Sequence, residues 1–388
     1  MKHREVPRGF KDFLPAEVKL KRRIEQEAGA IFASWGYQEI ITPAVEYLEV
    51  IEATSSVDRQ ELFLFQNRDG RLLALRPEMT IPAARLASSH LRNQPLPLRL
   101  FYRCNIFRHT QPQKGRYSEF WQIGVEMLGA KGERADAEVI ALAVETMRRL
   151  GVKDFQLSIN HSGIFNSLLA ESGLLLTERE ELREMVTRKD LVSLEQKLAG
   201  MALPRDFREI LLKLPVLYGG MEVFDTLPDV AGIPGAAAAV NELRSLFSTL
   251  QDFGVGDMVV VDLGVVRDLD YYTGVVFEGY SSNLGYPLLG GGRYDRVMEH
   301  LGWPNPATGF AIGVERVMLA MQEQDSVISE PRCVVAGSDL PLVMKTAERL
   351  RKQGWTVWLD VMGQTREELE VVCRENNCRL VLVDQDTL

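Results

Sequence analysis

The sequence predicts an α+β protein with a large sheet domain and a small α/β domain, and three observations support this. Two long apolar and aromatic runs, LRLFYRCNIF and SEFWQIGVEML, have the composition of neighbouring strands. The stretch from about 161 to 253 reads as short helices separated by breaks, which indicates a helical insertion. The stretch 330–388 follows a βαβαβ order, which is typical of a small, largely parallel sheet.

The composition is that of a folded globular protein. The chain has 388 residues, of which 46% are hydrophobic and 26% are charged, and this length suggests two or three domains. With a net charge of −9, the chain lacks the overall positive charge that favours nucleic-acid binding. The sequence contains neither a membrane-length apolar run nor an export signal, so we expect a cytoplasmic protein without a membrane span. The four cysteines lack C-x-x-C spacing, so we expect reduced, mostly buried thiols and no metal site.

The first part of the chain predicts a helix, a strand and a hairpin. Residues 15–35 carry apolar side chains at helical spacing, and a glycine ends the pattern. The strand YQEIITPAVEYLE follows and is interrupted by Pro43. Further on, Asp69 and Gly70 form a strong hairpin turn between two apolar runs. The segment LRPEMT then leads into a helix over 81–91.

A hairpin with a basic tip is predicted at 101–129. Its loop, RHTQPQKGRY, is broken by a proline and a glycine, and it presents Arg108, Lys114 and Arg116. Guanidinium groups pair bidentately with phosphate oxygens, so the loop suits a triphosphate or another polyanion. Charge alone leaves a solvated basic loop as the alternative interpretation.

The remaining segments complete the larger domain, to which we assign residues 1–325. Residues 134–150 predict an amphipathic helix closed by a glycine, and the strand FQLSIN follows. After the helical insertion, whose apolar stripes we interpret as core, strands return with MVVVDLG and VVFEGY. The segments LLGGGRYD and ATGFAIGVER close this domain, and residues 330–388 form the second one.

Four segments together resemble the motifs of class II aminoacyl-tRNA synthetases, and those of histidyl-tRNA synthetases in particular. The basic hairpin, with its Arg-x-x-x-Pro-x-x-Gly-Arg-Tyr order, is similar to motif 2, and LRPEMT is similar to the family's LRPEGT. VVRDLDYYTGVVFE resembles the signature RGLDYY, which only histidyl-type members carry. GGGRYD with GFAIGVER resembles motif 3. The matches extend from about residue 5 to residue 385.

This resemblance implies a class II aminoacyl-tRNA synthetase-like fold. Its main part is an antiparallel six-stranded sheet flanked by helices, to which the helical insertion and a truncated anticodon-binding-like α/β domain are added. The long helix followed by a strand with Pro43 resembles motif 1. Motif 1 builds the dimer interface in that family, so the resemblance also implies a homodimer.

The resemblance further implies a histidine-binding pocket, and each matched residue type suits one part of that ligand. Carboxylates and hydroxyls accept hydrogen bonds from an ammonium or a ring N–H, arginine holds a carboxylate, and tyrosine rings form flat walls. Taken singly, the same residues also suit a helix cap, a salt bridge or the core. The residues implied are Glu78 and Thr80 for the ammonium, Gln122 for the ammonium or carboxylate, Glu126 for the ring, Arg267 for the carboxylate, and Tyr271 and Tyr272 for the walls.

At the motif positions that bind ATP in the family, this sequence carries different residues. Thr110 replaces the acid that accepts from the adenine amine, which leaves a buried amine under-paired at a cost of about 1–3 kcal/mol. Ser118 replaces a second arginine, and Asp268 replaces the glycine of the histidyl signature. A carboxylate at 268 would blunt the electrostatic stabilisation of a transition state, unless it points away from the site. The vestigial phosphate-binding residues implied are Arg108, Arg116 and Arg316.

These departures, with a short C-terminal domain that lacks basic patches, resemble one branch of the family, the histidyl-tRNA synthetase-like regulatory subunits of ATP phosphoribosyltransferase. The resemblance implies a non-catalytic protein without a cofactor that assembles with a short-form catalytic subunit, in a hetero-octamer. It also implies that the protein conveys histidine feedback on the first step of histidine biosynthesis and binds neither tRNA nor membrane. The alternative is an active histidyl-tRNA synthetase, which uses ATP and magnesium to charge tRNA.

Overall fold

The computed structural model of the protein describes residues 5–54, 57–109, 117–201, 203–227, 230–265, 271–322 and 331–383. The chain is organised as two units, residues 1–323 and residues 324–388. Two of the predicted site residues, Arg116 and Arg267, lie outside the described ranges. The other predicted site residues all lie in the first unit.

The α-helices of the described ranges, in chain order, are α1 (Pro15–Ser34), α2 (Leu48–Thr54), α3 (Thr80–His90), α4 (Glu133–Arg149), α5 (Ser162–Glu171), α6 (Leu176–Thr187), α7 (Leu191–Ala199), α8 (Arg205–Lys213), α9 (Val223–Thr226), α10 (Pro234–Asp252), α11 (Asp295–His300), α12 (Val314–Gln322), α13 (Leu340–Lys352) and α14 (Arg366–Glu375). None of these described helices is both long enough and apolar enough to cross a membrane.

The strands of the described ranges are β1 (Gln38–Glu39), β2 (Val45–Tyr47), β3 (Leu64–Gln66), β4 (Leu72–Leu75), β5 (Leu98–Phe107), β6 (Glu119–Leu128), β7 (Phe155–His161), β8 (Tyr218–Gly219), β9 (Val259–Asp262), β10 (Val275–Ser281), β11 (Leu289–Arg293), β12 (Ala307–Gly313), β13 (Arg332–Ala336), β14 (Thr356–Leu359) and β15 (Arg379–Leu382). Strands β2, β4 and β3 form a small antiparallel sheet, and its β3–β4 hairpin turns at Gly70, whose φ is +80°.

The main sheet of the described residues has nine strands in the order β1-β5-β6-β12-β11-β10-β7-β9-β8. The strands from β5 to β7 in that order pair antiparallel, and they are the six strands that the sequence resemblance implies. At the edges, β1 joins β5 in parallel, β9 joins β7 in parallel, and β8 pairs antiparallel with β9. The predicted fold class is therefore confirmed, with three short strands added at the edges.

One face of the main sheet is covered by helices and forms the core. Along β6, Ile123, Val125 and Met127 belong to this core, where α1, α4 and α12 pack on the sheet. The Phe32 ring of α1 meets the Phe101 ring of β5 edge to face, with 5.8 Å between the ring centroids. Burial of this apolar face fixes the strand register, because a slip by one residue would exchange the two faces.

Between β7 and β9 the described chain is mostly helical and comprises α5 to α10 with the short strand β8. The apolar stripes of these helices are core, as the sequence indicates. Leu182, Val186, Leu194 and Leu198, for example, are buried in the main hydrophobic cluster. The helical insertion therefore packs as one body with the sheet.

In the second unit, β13 lies between β14 and β15, and both pair with it in parallel. Each face of this small sheet is covered by one helix. Val343 of α13 packs with Val335, and Leu369 of α14 packs with Val334 on the opposite face. This arrangement is the small α/β domain that the sequence predicts.

All four cysteines lie in described ranges, and all are free thiols. Cys104, Cys333 and Cys373 are buried, whereas Cys378 is half-buried. Burial raises the pKa of the Cys104 thiol to about 11, which disfavours the reactive thiolate. This supports the interpretation of these cysteines as structural thiols.

The glycine run of β11 allows close packing with β12 and provides a test of the sheet. A Cβ at Gly291 would lie 2.6 Å from Phe310 Cβ and 2.7 Å from the Phe277 ring, and closer still to the Gly309 carbonyl oxygen. We expect Gly291→Ala to lower the free energy of unfolding by about 1–3 kcal/mol, measured by denaturant unfolding. Gly290→Ala is the matched control, because its Cβ would lie 3.8 Å from the nearest atom. Equal losses in the two variants would contradict this packing.

Candidate functional site

The candidate site lies on the face of the main sheet opposite the core helices. Because strand side chains alternate, Gln122 and Glu126 of β6 point away from the core that contains Ile123 and Val125. Strand β12 places Gly309 opposite Glu126. A Cβ at Gly309 would lie 3.0 Å from Glu126 Cδ and closer still to Oε2. The glycine therefore lets the glutamate carboxyl lie flat on the sheet.

Three hydroxyl groups surround the Glu126 carboxyl. Thr80 Oγ1 lies 3.1 Å and Tyr102 Oη 3.3 Å from Oε1, and Tyr294 Oη donates to Oε2. These hydroxyls come from helix α3, strand β5 and the junction between β11 and α11. Glu126 is only 1% exposed, so its carboxyl is held by side-chain hydroxyls in place of water.

Glu78 lies two residues before the start of helix α3, and its side chain caps the first turn of that helix. Its two carboxylate oxygens accept from the main-chain N–H groups of Thr80 and Ile81, each at 2.8 Å. The first N–H groups of a helix have no partner within the helix, so this is the cap that the residue type alone also suggests. Arg108 donates to a neighbouring main-chain carbonyl at 2.6 Å, and its positive charge acts on Glu78. Each Glu78 oxygen keeps capacity to accept a further hydrogen bond.

Tyrosine rings form a wall of the site. The rings of Tyr271 and Tyr272 meet edge to face at 5.1 Å, and the Tyr271 ring stacks on Tyr294 at 5.8 Å. The Tyr271 hydroxyl is buried and makes no hydrogen bond of good geometry, although Glu78 and Thr80 lie close to it. A buried hydroxyl without a partner costs roughly 1–3 kcal/mol. A polar ligand in this pocket can supply the missing partner.

Burial dominates the ionisation of the two carboxyls. Burial raises the pKa of Glu126 to about 8, helped by the charge of Glu78 and opposed by the hydroxyl hydrogen bonds. Burial also raises the pKa of Glu78, while the capping hydrogen bond from Ile81 and the charge of Arg108 lower it. Two neighbouring carboxyls in a low-dielectric pocket resist ionising together. The pocket therefore suits a ligand that carries positive charge.

The side chains that commonly bind metal ions do not form a metal-binding cluster among the described residues. A metal site needs several His, Cys, Asp or Glu groups that converge on one point. Within the described residues, no group of three or more such side chains is placed to hold a metal ion.

The structure brings most of the predicted histidine-binding residues together. Gln122 lies on the same strand face as Glu126, four residues away, which is about 13 Å along the strand. Arg267 lies outside the described residues. The predicted residues that meet at one place are Glu78, Thr80, Glu126, Tyr271 and Tyr272. Their assignment to histidine stays a prediction.

Of the predicted phosphate-binding arginines, Arg316 lies at the start of α12. It donates to a main-chain carbonyl at 2.6 Å, and its guanidinium lies 5.4 Å from the centre of the Tyr286 ring. Its neighbour Glu315 accepts from the Trp121 main-chain N–H with both oxygens, at 2.9 and 3.0 Å, which fixes the start of α12 on β6. Arg116 lies outside the described residues, and a phosphate-binding role for these arginines stays a prediction.

Ser118, which replaces an arginine of the family motif, is part of a packed junction. Ser118 is 5% exposed. Its main-chain N–H donates to the carbonyl oxygen of Gly9 at 2.7 Å, and its own carbonyl oxygen accepts from the main-chain N–H of Arg108 at 2.9 Å. A Cβ at Gly9 would lie 2.9 Å from Ser118 Cβ, so the two segments touch. A small side chain at 118 fits this junction. The other two departures, Thr110 and Asp268, lie outside the described residues.

Sequence reasoning missed two residues of the site, Tyr102 and Tyr294. Tyr102 lies opposite Gly124 in the β5–β6 pairing, so it shares a face with Glu126. The alternation in LRLFYRCNIF divides that strand into two faces but does not tell which face is the core. Tyr294 follows the end of β11 within the segment GGGRYD, and no local pattern there points at Glu126.

Comparisons with known proteins identify the family. A family model described as histidyl-tRNA synthetase matches residues 9–317. This chain belongs to the histidyl-tRNA synthetase family. An ATP phosphoribosyltransferase regulatory subunit of Moorella thermoacetica is 41% identical over 365 residues, which cover 94% of each chain. One of Symbiobacterium thermophilum is 40% identical over 386 residues, covering 97% of this chain and 96% of that one. These relatives confirm the resemblance to the histidyl-tRNA synthetase-like regulatory subunits.

The same family also includes proteins named as ligases. A histidine–tRNA ligase of Methanocaldococcus jannaschii is 35% identical, covering 99% of this chain and 92% of that one. A crystal structure of an ATP phosphoribosyltransferase regulatory subunit/histidyl-tRNA synthetase from Bacillus halodurans C covers 98% of both chains, with a TM-score of 0.87 and 32% identity. The shared fold therefore accommodates both named functions.

The protonation of Glu126 leads to a prediction about stability. Its pKa is about 8 in the folded pocket against an ordinary value of 4.5, so the folded state binds this proton more tightly than the unfolded chain. The stabilising contribution is complete below about pH 4.5 and is lost as the pH rises through about 8. Between about pH 4.5 and pH 8 we therefore expect the melting temperature to fall less with rising pH in Glu126→Gln than in the wild type. Thermal unfolding at a series of pH values measures this difference.

The control for this measurement is Glu195→Gln at an exposed position of α7, which should keep the wild-type slope. A smaller slope of the same sign should remain in Glu126→Gln, because burial raises the pKa of Glu315 to about 7. A Glu126→Gln profile as steep as that of the wild type would contradict the proton assignment.

Proposed function

We propose that this chain is the regulatory subunit of a short-form ATP phosphoribosyltransferase and that it binds histidine as its effector. The observation that carries the proposal is the side-chain cluster on the main sheet, where Glu126 is buried and Glu78 is half-buried beside tyrosine rings. Free histidine combines a cationic ammonium with a flat ring bearing N–H groups, which matches such a pocket. The names of relatives at about 40% identity supply the protein class.

In the proposed complex, each part of histidine contacts a different part of the pocket. The ammonium lies at Glu78 and Thr80, and the ring lies between the tyrosines with one N–H on Glu126. The ligand also gives the buried Tyr271 hydroxyl a hydrogen-bond partner. Gln122, at the ammonium or the carboxylate, and Arg267, at the carboxylate, complete the proposed site. Each hydrogen bond to a charged group contributes roughly 1.5–3 kcal/mol.

Regulation requires that histidine bind one state of the assembly more tightly than another. A coupling of about 1–3 kcal/mol is enough for useful feedback. Glu78 supports coupling because it caps α3, and α3 packs against α2 and α11, so ligand contacts at Glu78 act on a helix that other elements share. We propose that catalysis occurs on the partner subunit, since Thr110, Ser118 and Asp268 alter the ATP half of this chain.

We further propose that the chain forms a homodimer through its motif 1-like segment, within a hetero-octamer that binds no tRNA. Ile41, two residues before Pro43 in that segment, is 87% exposed. An isoleucine this exposed beside a sheet edge suits a protein interface better than water.

The second candidate function is that of an active histidyl-tRNA synthetase. The 35% identity to a histidine–tRNA ligase over 92% of that protein's length favours it, as does the presence of Arg108 and Arg316 at motif positions. That function would require ATP and magnesium at the altered half of the site. The two candidates share the histidine pocket and differ in what happens to ATP.

Direct titration tests the histidine pocket. We expect the purified chain to bind histidine in isothermal titration calorimetry, and Glu126→Ala to weaken binding about 10- to 100-fold through the loss of a charge-assisted hydrogen bond. Glu119→Ala is the matched control on the same strand, because its carboxylate bonds to Asn105 at 2.8 Å, away from the pocket. Unchanged affinity in Glu126→Ala would place histidine elsewhere.

Activity measurements separate the two candidate functions. We expect no histidine-dependent exchange between pyrophosphate and ATP by the purified chain. On mixing with the short catalytic subunit of the same organism, phosphoribosyltransferase activity should appear and be inhibited by histidine. The Glu126→Ala chain should lose that inhibition in proportion to its loss of affinity. Clear exchange activity by the chain alone would favour the synthetase.

A further inference from the structure

The short segment that carries Glu78, residues 76–79, belongs to neither a helix nor a strand. It joins the end of β4 to the start of α3. Pro77, the residue before Glu78, has no N–H group to donate. The capping bonds of Glu78 go forward to α3, so they do not fix where the start of the segment lies. The position of that start therefore depends on the contacts of Arg76.

Arg76 is 5% exposed, and its guanidinium makes four hydrogen bonds. Nε donates to the main-chain carbonyl oxygen of Asn105 at 2.8 Å, and Nη2 donates to the side-chain oxygen of the same residue at 2.9 Å. Nη1 donates to the carbonyl oxygens of Thr42 and Pro43 at 3.0 and 3.3 Å. All four acceptors are neutral oxygens. A guanidinium presents its N–H groups in a rigid planar fork, so these acceptors also fix its position.

The main chain of Arg76 is held by the same two parts of the structure. Its N–H donates to the carbonyl oxygen of Ala44 at 2.9 Å, and its carbonyl oxygen accepts from the N–H of Phe107 at 3.1 Å. Arg76 is thus fixed between residues 42–44 and strand β5. Two residues of extended chain span only about 7 Å, so a shift of Arg76 would displace the Glu78 carboxyl with it.

We propose, on the basis of the histidine site proposed above, that Arg76 is a positioning residue for the ligand ammonium. Its guanidinium holds the start of the segment, so that Glu78 presents its carboxylate at one place before the ligand binds. Binding then requires less ordering of the site, which raises the affinity. Arg76 acts through Glu78 and not by contact with the ligand, because its guanidinium is directed at Asn105 and residues 42–44. A lysine would keep the charge, but its single ammonium could not span these acceptors.

The test compares histidine with imidazole-4-propionate, which is histidine without its amino group. Isothermal titration calorimetry, by displacement for the weaker ligand, gives both affinities. We expect Arg76→Lys to bind histidine about tenfold more weakly than the wild type does, and imidazole-4-propionate within about twofold of the wild type. Glu78→Gln should show the same pattern. The double variant should lose no more than Glu78→Gln alone, because both substitutions act on one contact.

Two further variants control this measurement. Arg103→Lys is the matched substitution on strand β5, where the guanidinium bonds to the Glu39 carboxylate at 2.9 and 2.7 Å, and it should leave both affinities unchanged. Asn105→Ala removes one acceptor of Arg76 and keeps the arginine. It should weaken histidine binding about threefold and leave imidazole-4-propionate unchanged, and it decides the question if Arg76→Lys does not fold.

The outcomes separate this proposal from the proposed function. Unchanged histidine affinity in Arg76→Lys, or an equal loss for the two ligands, overturns the positioning role while the histidine site stands. The same result in Asn105→Ala overturns it if Arg76→Lys does not fold. A wild-type chain that binds the two ligands equally overturns the ammonium contact of Glu78, and the positioning role with it. A wild-type chain that binds no histidine overturns both proposals.

Discussion

Glu126 lies with its carboxyl against the backbone of β12, and this contact is possible because position 309 is glycine. Burial there withdraws the carboxyl from water, so hydroxyl groups from three separate elements replace the lost hydration. Those hydroxyls in turn constrain where α3, β5 and the end of β11 lie. The burial of one acid thus explains the arrangement of the hydroxyl groups around it, and the positively charged ligand proposed above suits the same buried carboxyl.

Sequence patterns were sufficient for the fold class and for part of the site. Long apolar runs predicted β5, β6, β7 and β10 as strands, and the resemblance to class II synthetases implied the six-stranded antiparallel sheet. MVVVDLG also predicted β9, but the two-residue strands β1 and β8 carry too few residues for a pattern of their own, and the pairing of all three depends on the sheet that they join. Tyr102 and Tyr294 were not predicted as site residues for a similar reason, because only the pairing of the strands shows that both side chains contact Glu126.

Glu78 shows that a structural and a functional interpretation of one residue need not compete. As a cap, it satisfies two amide groups of the first turn of α3. The same contacts hold the Glu78 carboxylate in place, so binding of a ligand to Glu78 would cost little side-chain conformational entropy. A helix cap is therefore a good base for an ammonium site. Residue type alone could not decide between the roles; the structure shows the capping contacts, and the ammonium-binding role stays a prediction.

A pocket that binds an amino acid and a site that activates it make different demands on the same scaffold. Activation depends on contacts that strengthen in the transition state, whereas recognition needs only contacts with the ground state. Changes confined to the phosphate side can therefore remove the reaction and leave amino-acid binding intact. This explains how one fold accommodates both regulatory subunits and ligases among relatives of similar coverage.

The contact between Ser118 and Gly9 has a consequence for substitutions at position 118. The Ser118 N–H donates to the Gly9 carbonyl oxygen, and a Cβ at Gly9 would lie 2.9 Å from Ser118 Cβ. The longer side chain of an arginine at 118 would therefore need the segment around Gly9 to move. Packing of this kind couples two positions that are far apart in the sequence, so the effect of a substitution at one position depends on the chain at the other.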